Sequence, residues 1–163
     1  MKIRPERPGD ELAIAELIDE AFLLAEHRDG TEAAIVERLR AANALAVSLV
    51  AEEEATLVGH IAFSPVTIDG ENCGWFGLGP VVVRPACQRR GIGSALVKTG
   101  LDKLRALGAG GCVLVGEPEY YGRFGFQAAD RLIYPGLPVQ YFQALLLTGK
   151  MATGVVSYHP AFG

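Results

Sequence analysis

Cysteine is scarce in this chain, with three residues in 163, at Cys73, Cys87 and Cys112. Their number is odd and they are scattered without a CxxC pair, which argues against a disulfide framework and against a structural zinc site. We therefore expect no metal centre and a reducing, cytoplasmic environment.

Long apolar runs and an excess of positive charge are also missing. The first five residues carry no apolar stretch of the kind found in signal peptides, and no uninterrupted apolar run is long enough to span a bilayer. The formal net charge is −4, whereas nucleic-acid-binding domains usually carry a strongly basic face. These features argue against membrane and nucleic-acid partners.

Apolar side chains are abundant, at 50% of the residues, which is enough for a sizeable core. The chain has no repeat, low-complexity tract or linker, and its length fits one domain. We predict a single domain over residues 1–163.

Helical periodicity marks the first forty residues. Asp10 is a predicted N-cap, and apolar residues at helical spacing predict an amphipathic helix over 11–25. Thr31 is the predicted cap of a second helix with Ile35 and Leu39 on its inner face.

Two more helices are predicted in the second half of the chain. The first covers 92–107, with Leu96, Leu104 and Leu107 available to the core, and the second is a short helix over 119–123.

Strand-like patterns occupy most of the remaining chain. The Asp69-Gly70 pair predicts a hairpin, because both central positions of a type I′ turn need positive φ. Residues 78–80, Leu-Gly-Pro, lie inside a strand but fit it poorly, so we predict a β-bulge that bends it. The fold class is α/β, with a mixed, largely antiparallel sheet flanked by helices. The predicted strands cover 2–4, 46–51, 57–66, 72–83, 112–115, 140–147 and 154–158.

The segment 81–96 carries the strongest chemical signal, because it reads as a strand, a tight loop and the start of a helix. Free amides in the first helical turn and the helix dipole make an anion site there. Gly91 and Gly93 have no side chains, so a phosphate can approach the backbone. Arg89 and Arg90 add positive charge beside it.

Three phosphate-binding loops compete for this pattern. A Walker loop needs a lysine that Gly93-Ser94-Ala95 lacks. A dinucleotide fingerprint needs a third glycine where Leu96 stands and an acidic residue near Gly111. A coenzyme A diphosphate loop fits the order Q-x-x-G-x-G after a bulged strand.

With these residues the chain resembles the GNAT superfamily of N-acetyltransferases. Residues 81–85 and 88–96 carry the resemblance, and residues 120–126 look like the family's Tyr-x-x-x-Gly-Phe element, with fitting spacing. The chain also resembles a bacterial subgroup of predicted acetyltransferases. This second resemblance rests on the Gly-Pro pair before the valines, the double tyrosine and the closing residues 158–162.

The resemblance implies a GNAT-like fold with splayed central strands and acetyl-CoA as co-substrate, and it is compatible with a homodimer. The strand at 81–83 would offer backbone groups to the pantetheine arm. The loop and helix start would hold the diphosphate. The implied cofactor-binding residues are Val81, Val82, Val83, Gln88, Arg89, Arg90, Gly91, Ile92, Gly93 and Ser94.

Two side chains are candidates for the chemistry of acetyl transfer. Tyr121 occupies the family's tyrosine position, so it either donates to the leaving thiolate or packs under Phe124 and Phe126. Glu117 follows the strand at 112–115 and is either a base, an acceptor-binding carboxylate or a charge at the start of the short helix. A backbone N–H near Val82 is the expected oxyanion donor.

Several other residues have less specific signals. We expect structural roles for Tyr120, His60 and His159 and a solvated side chain for His27. We expect Cys87 to be a bystander, although an acyl-cysteine is conceivable there. Trp75 and Phe76 either line the acceptor cleft or pack on the first helices.

The sequence thus predicts an N-acetyltransferase that moves the acetyl group of acetyl-CoA onto a primary amine by direct attack. A non-catalytic CoA-binding regulatory module and an enzyme using a longer acyl-CoA remain alternatives. The acceptor is a small molecule or a peptide that the sequence does not identify.

Overall fold

The computed structural model describes residues 1–22 and 32–163. Three sequence predictions lie outside these residues: the end of the first helix at 23–25, the solvated His27 and the helix cap Thr31. None of the helices in the described ranges combines the length and the apolar character that crossing a bilayer requires.

The described residues form two groups of strands and four helices. The helices are α1 (Glu11–Phe22), α2 (Glu32–Ala41), α3 (Ile92–Ala106) and α4 (Pro118–Gly122). The strands are β1 (Lys2–Pro5), β2 (Val47–Glu53), β3 (Thr56–Pro65), β4 (Thr67–Ile68), β5 (Trp75–Val83), β6 (Gly111–Val115), β7 (Gln127–Ala128), β8 (Leu132–Ile133), β9 (Phe142–Leu146) and β10 (Gly154–Ser157).

Seven strands make the main sheet, in the order β1-β2-β3-β5-β6-β9-β7, and β4, β10 and β8 make a small second sheet. Within the described ranges, β5–β6 is the single parallel pairing of the main sheet, and its other neighbours are antiparallel. The predicted mixed, largely antiparallel α/β architecture is therefore confirmed.

The two faces of the main sheet are covered by different helices. Ile61 and Phe63 of β3 pack with Leu96 of α3 in the largest apolar cluster, on what we call the α3 face. Val50 and Val82 pack with Ile14, Leu17, Ile18 and Val36 of the first two helices, on what we call the α1 face. Because side chains alternate along a strand, His60 and Ser64 of β3 belong to the α1 face.

The ladder between β5 and β6 is short. It joins residues 75–77 to 111–113 and then ends, while β5 stays paired with β3 as far as Val83. At that point Gly79 and Pro80 of β5 stand opposite the single residue Ala62 of β3. The predicted bulge is thus confirmed, and beyond it the edge of β5 that faces β6 is open. We call the space between residues 79–83 and the end of β6 the gap.

Most predicted elements match within a few residues, and the differences have local causes. Asp10 accepts the first helical bond from Ile14 N–H at 2.9 Å, as predicted, while its carboxylate accepts from Arg4 and from the Arg7 amide. The predicted inward position of Leu107 is wrong, because α3 ends at Ala106 and Leu107 is 60% exposed. The predicted strand at 140–147 begins with a 3-10 turn at Val139–Tyr141 before β9.

Candidate functional site

The start of α3 forms one wall of a cleft of about 350 Å³. Gly91 stands at the N-cap with φ 83°, a left-handed conformation that glycine adopts without a steric penalty. The first helical bond runs from Ala95 N–H to the Gly91 carbonyl at 3.0 Å, so the amides of the first turn point out of the helix end. The cleft is lined by Val83, Cys87, Gln88, Arg89, Gly91, Ile92, Gly93, Ser94, Tyr120 and Arg123.

The loop before the helix brings a cation and an amide side chain to the same cleft. Arg89 is exposed and has φ 65°, so the backbone turns sharply there. The Gln88 side chain donates from Nε2 to the Val83 carbonyl at 3.2 Å, which ties the loop to the end of β5. The cleft is therefore lined by six of the seven residues from Gln88 to Ser94 that the sequence predicted to hold the diphosphate. The exception is Arg90.

Arg90 has a different neighbour. Its guanidinium makes two hydrogen bonds to the Glu53 carboxylate, at 2.7 and 3.1 Å, and it does not line the cleft. The ion pair joins the loop to the end of β2. A phosphate contact for Arg90 stays a prediction, and the pair with Glu53 gives the residue a structural role.

Two cleft residues were not predicted for cofactor binding. The Tyr120 hydroxyl lies 3.3 Å from the place of a β-carbon on Gly93, so Tyr120 covers the helix start from α4. Arg123 places its guanidinium carbon 4.5 Å from the centre of the Tyr120 ring, a cation–π contact. The sequence held a signal for this pair, because residues three apart on a helix share a face.

The open edge of β5 offers backbone groups to a ligand. Arg84 N–H donates to the Val58 carbonyl at 2.8 Å, and hydrogen-bonded residues alternate along an antiparallel ladder. The polar groups of Val82 are thereby directed at β3, and those of Val81 and Val83 at the gap. An oxyanion donor near Val82 stays a prediction, and the N–H groups that face the gap are those of Val81 and Val83.

Tyr121 lies at the end of β6, beside the gap. Its ring packs against Gly116 and is in edge contact with Phe126 at 6.2 Å and tilted contact with Phe124 at 6.3 Å. Burial, with a smaller effect of Tyr120, raises the pKa of Tyr121 to about 12. Tyr121 is therefore a neutral phenol that can donate a hydrogen bond.

Glu117 is exposed and precedes α4 at its N-cap position. It borders an open cleft of about 420 Å³ with Glu119, Tyr120 and Arg123, on the α4 side of the cleft at the start of α3. This position fits the third role that the sequence suggested, a negative charge at the start of the short helix. A role as a base stays a prediction.

The remaining candidates are mostly structural. The His159 side chain accepts from Ala161 N–H at 3.0 Å and caps a terminal 3-10 turn. Trp75 is buried in a second apolar cluster, over Gly110 and Gly111, and not on the first helices. Phe76 is half-buried against the cluster of the α3 face. Cys87 is half-buried at the cleft wall.

His60 is fully buried on the α1 face and hydrogen-bonds to Ser48. The sequence did not predict this partner, because the two residues lie on different strands and no local motif joins them.

Comparisons with known proteins agree on one family. A family model described as an acetyltransferase (GNAT) domain matches residues 2–129. The chain is 34% identical to the N-acetyltransferase YhbS of Escherichia coli strain K12 over 169 aligned positions, which cover 99% of this chain and 98% of the relative.

Two solved structures are similar over nearly the whole chain. A GNAT family acetyltransferase from Brucella melitensis, in complex with acetyl-CoA, has a TM-score of 0.90 and 48% identity and covers 99% of this chain and 97% of its own. YhbS from Escherichia coli, in complex with CoA, has a TM-score of 0.90 and 34% identity, with 99% and 91% covered. The chain therefore belongs to the GNAT family of N-acetyltransferases, enzymes that use acetyl-CoA as their co-substrate.

Proposed function

We propose that this enzyme transfers the acetyl group of acetyl-CoA to a primary amine by direct attack, without an acyl-enzyme. The observation that carries the proposal is the gap between β5 and β6, which adjoins the cleft at the start of α3. A ligand with a diphosphate at one end and a thioester at the other can occupy both at once.

The chain's own groups suit each part of that ligand. The amides of Gly93 and Ser94 and the guanidinium of Arg89 would hold the diphosphate. The backbone of Val81 and Val83 would pair with the amides of the pantetheine arm as an added strand does. A gap-facing amide of the same strand would donate to the thioester oxygen as negative charge develops there.

The acceptor amine must be neutral to attack. A lysine-like ammonium has a pKa of about 10.4, so its neutral form costs roughly 4–5 kcal/mol at pH 7. A base or a desolvating site must offset part of this cost. Glu117 is one candidate, since it lies two residues after the end of β6 and borders the open cleft beside α4.

Tyr121 would stabilise the departing thiolate by a hydrogen bond. Complete proton transfer from a phenol with a pKa of about 12 to a thiolate of about 8.5 is uphill by roughly 5 kcal/mol. The phenol would therefore donate a hydrogen bond while solvent supplies the proton. This role needs the hydroxyl group and not only the ring.

The test is steady-state CoA release from acetyl-CoA with a panel of primary amines. We expect amine-dependent release by the wild type, and about a tenfold lower kcat in Tyr121→Phe with unchanged CoA affinity. Tyr120→Phe is the matched control, because its hydroxyl faces Gly93 at the diphosphate end.

Binding of CoA without amine-dependent release from any acyl-CoA would favour a regulatory module over an enzyme. A higher kcat/KM with propionyl-CoA than with acetyl-CoA would favour the longer acyl group.

A further inference from the structure

The end of β6 is held by a side chain where a regular ladder would use the backbone. Gly116 N–H donates to the Tyr141 carbonyl at 3.0 Å, as in a hydrogen-bonded antiparallel pair. In such a pair Tyr141 N–H would donate back to Gly116, but it donates to the Pro138 carbonyl at 3.1 Å and closes the 3-10 turn before β9. The Gln143 side chain replaces it and donates from Nε2 to the Gly116 carbonyl at 2.9 Å.

The chemistry of the two groups fixes the orientation of the Gln143 amide. The Gly116 carbonyl can only accept, so the end of the amide that faces it is the NH₂ group. Gln143 is 1% exposed, and its Oε1 atom has no hydrogen-bond partner within the described ranges. A buried polar atom without a partner costs about 1–3 kcal/mol, so packing alone would favour an apolar side chain here. The hydrogen bond to Gly116 is therefore what accounts for an amide at this position.

Gln143 and Tyr121 meet the same glycine on the same face of the sheet. Gln143 stands directly opposite Leu114 in the β6–β9 ladder, so the two side chains share a face. Leu114 belongs to the apolar cluster of the α3 face, and Tyr121 packs against that cluster. The Tyr121 ring also lies over Gly116, two residues further along the chain. Gly116 thus carries the ring over its α-carbon and the amide on its carbonyl.

The hydrogen bonds to β9 matter at this point because the other edge of β6 is open. The ladder between β5 and β6 ends at Val113, so the residues that follow border the gap on that side. Without the Gln143 amide, Gly116 would keep only its N–H bond to the Tyr141 carbonyl. The strand end would then be free to shift, and the Tyr121 ring that rests on it would shift as well.

We propose that Gln143 is a positioning residue for acetyl transfer, which holds the Gly116 carbonyl so that the Tyr121 hydroxyl stays beside the gap. This role rests on the proposed function, in which that hydroxyl donates to the departing thiolate. Gln143 lies on β9, across β6 from the gap, and acts through Gly116 and the ring above it. We therefore expect it to affect kcat and not CoA affinity, because other residues line the cleft at the start of α3.

Gln143→Leu removes the donor and keeps a side chain of similar size. With an amine that the wild type acetylates, we expect kcat to fall about fivefold, while calorimetry gives a CoA Kd within twofold of the wild type. The loss should be smaller than in Tyr121→Phe, because a displaced phenol keeps part of its hydrogen bond. Gln127→Leu is the matched control, since Gln127 is exposed on β7, next to β9, and its kcat should stay within twofold.

A double-mutant cycle separates positioning from a general structural role. If Gln143 acts through the Tyr121 hydroxyl, its replacement has little left to disturb once that hydroxyl is gone. We expect Gln143→Leu to lower kcat less than twofold in the Tyr121→Phe background. An equal fold-loss in both backgrounds would overturn the positioning role.

Gln143→Glu supplies a rescue that depends on pH. A neutral carboxyl group can donate its O–H to the Gly116 carbonyl, whereas a carboxylate can only accept. Burial raises the pKa of a carboxyl group, so the neutral form becomes more populated as the pH falls from about 8 to about 6. We expect the ratio of the variant kcat to the wild-type kcat to rise in that direction. A ratio that stays low throughout would contradict the need for a donor.

The position of the ring can be followed without turnover. In protein labelled with ring-¹³C tyrosine, the Tyr121 signal is assigned by its loss in Tyr121→Phe. We expect Gln143→Leu to shift this signal and Gln127→Leu to leave it in place, while the signals of the other tyrosines show that both variants are folded. An unmoved Tyr121 signal in Gln143→Leu would overturn the proposal.

The outcomes separate this role from acetyl transfer itself. An unchanged kcat in Gln143→Leu, or a loss of CoA affinity as large as the loss of kcat, would overturn the role of Gln143 and leave acetyl transfer intact. Absence of amine-dependent turnover in the wild type would instead remove the proposed function, and the positioning role with it.

Discussion

The aromatic ring of Tyr121 lies directly on the backbone of Gly116: a β-carbon at position 116 would stand 2.5 Å from Tyr121 Cε2. Real β-carbons do not approach other atoms so closely, so the absence of a side chain at 116 allows the phenol to lie at the end of β6. The contact connects the Tyr-x-x-x-Gly-Phe element to the strand that borders the gap.

Gly116→Ala should therefore displace Tyr121. We expect kcat to fall about tenfold, as in Tyr121→Phe, and the free energy of unfolding to fall by about 1–3 kcal/mol from overpacking. CoA affinity should stay within twofold, because the cleft at the start of α3 is lined by other residues. Steady-state kinetics, calorimetry and urea unfolding measure the three quantities.

Gly122→Ala is the matched control. A β-carbon there would meet nothing within 4 Å, and the residue lies in α4 close to Tyr121 in sequence. Equal losses of kcat in the two variants would contradict the steric explanation.

The two neighbouring arginines of the loop should differ in their effect on CoA affinity. Arg89 lines the cleft, whereas the guanidinium of Arg90 binds Glu53. We expect Arg89→Ala to raise the CoA Kd by about tenfold, which corresponds to about 1.4 kcal/mol, and Arg90→Ala to raise it less. The Arg89 variant should also bind with a weaker dependence on salt. A larger loss in Arg90→Ala would show that the ion pair with Glu53 yields to phosphate.

The buried His60 should make stability depend on pH. Its pKa is about 4 in the folded state and 6.5 in the reference state, so the unfolded chain binds more protons between these values. The contribution is fully present above pH 6.5 and is lost as the pH falls towards 4, with an upper bound of about 3 kcal/mol. His60→Gln removes this titration, so its unfolding free energy should depend less on pH in that window. Parallel pH profiles for the two proteins would contradict the assignment.

Direct attack predicts that no cysteine is needed. Cys87→Ser should keep kcat within about twofold, because the thiol is only part of the cleft wall. A loss of about a hundredfold or more, or a trapped acetyl-cysteine seen by mass spectrometry, would indicate an acyl-enzyme.

Burial raises the pKa of the Cys112 thiol, so that residue should resist alkylation in the folded protein.

Features with a local cause were predictable from the sequence. Asp69 and Gly70 have φ values of 52° and 80°, as the hairpin turn requires. The bulge at 78–80 followed from a proline and two glycines in a strand, and α3 followed from the glycine pair and its apolar spacing. Each of these signals lies within a few residues of the structure that it specifies.

Features that depend on distant partners were not predictable. The burial of Trp75 depends on Gly111, which leaves room for the ring 36 positions later in the chain. The pair of Arg90 with Glu53 depends on where the β2–β3 turn lies relative to the loop. The strand at 154–158 was predicted and forms β10, but its place in a second sheet was not, because its partners β4 and β8 have only two residues each and lie far away in sequence.

The most direct test of the account is titration calorimetry of CoA into the purified protein at two salt concentrations. The account predicts saturable binding of one CoA per chain that weakens as salt rises, because amides and Arg89 at the start of α3 hold the diphosphate. Absence of binding, or binding of equal strength by pantetheine lacking the diphosphate, would contradict it.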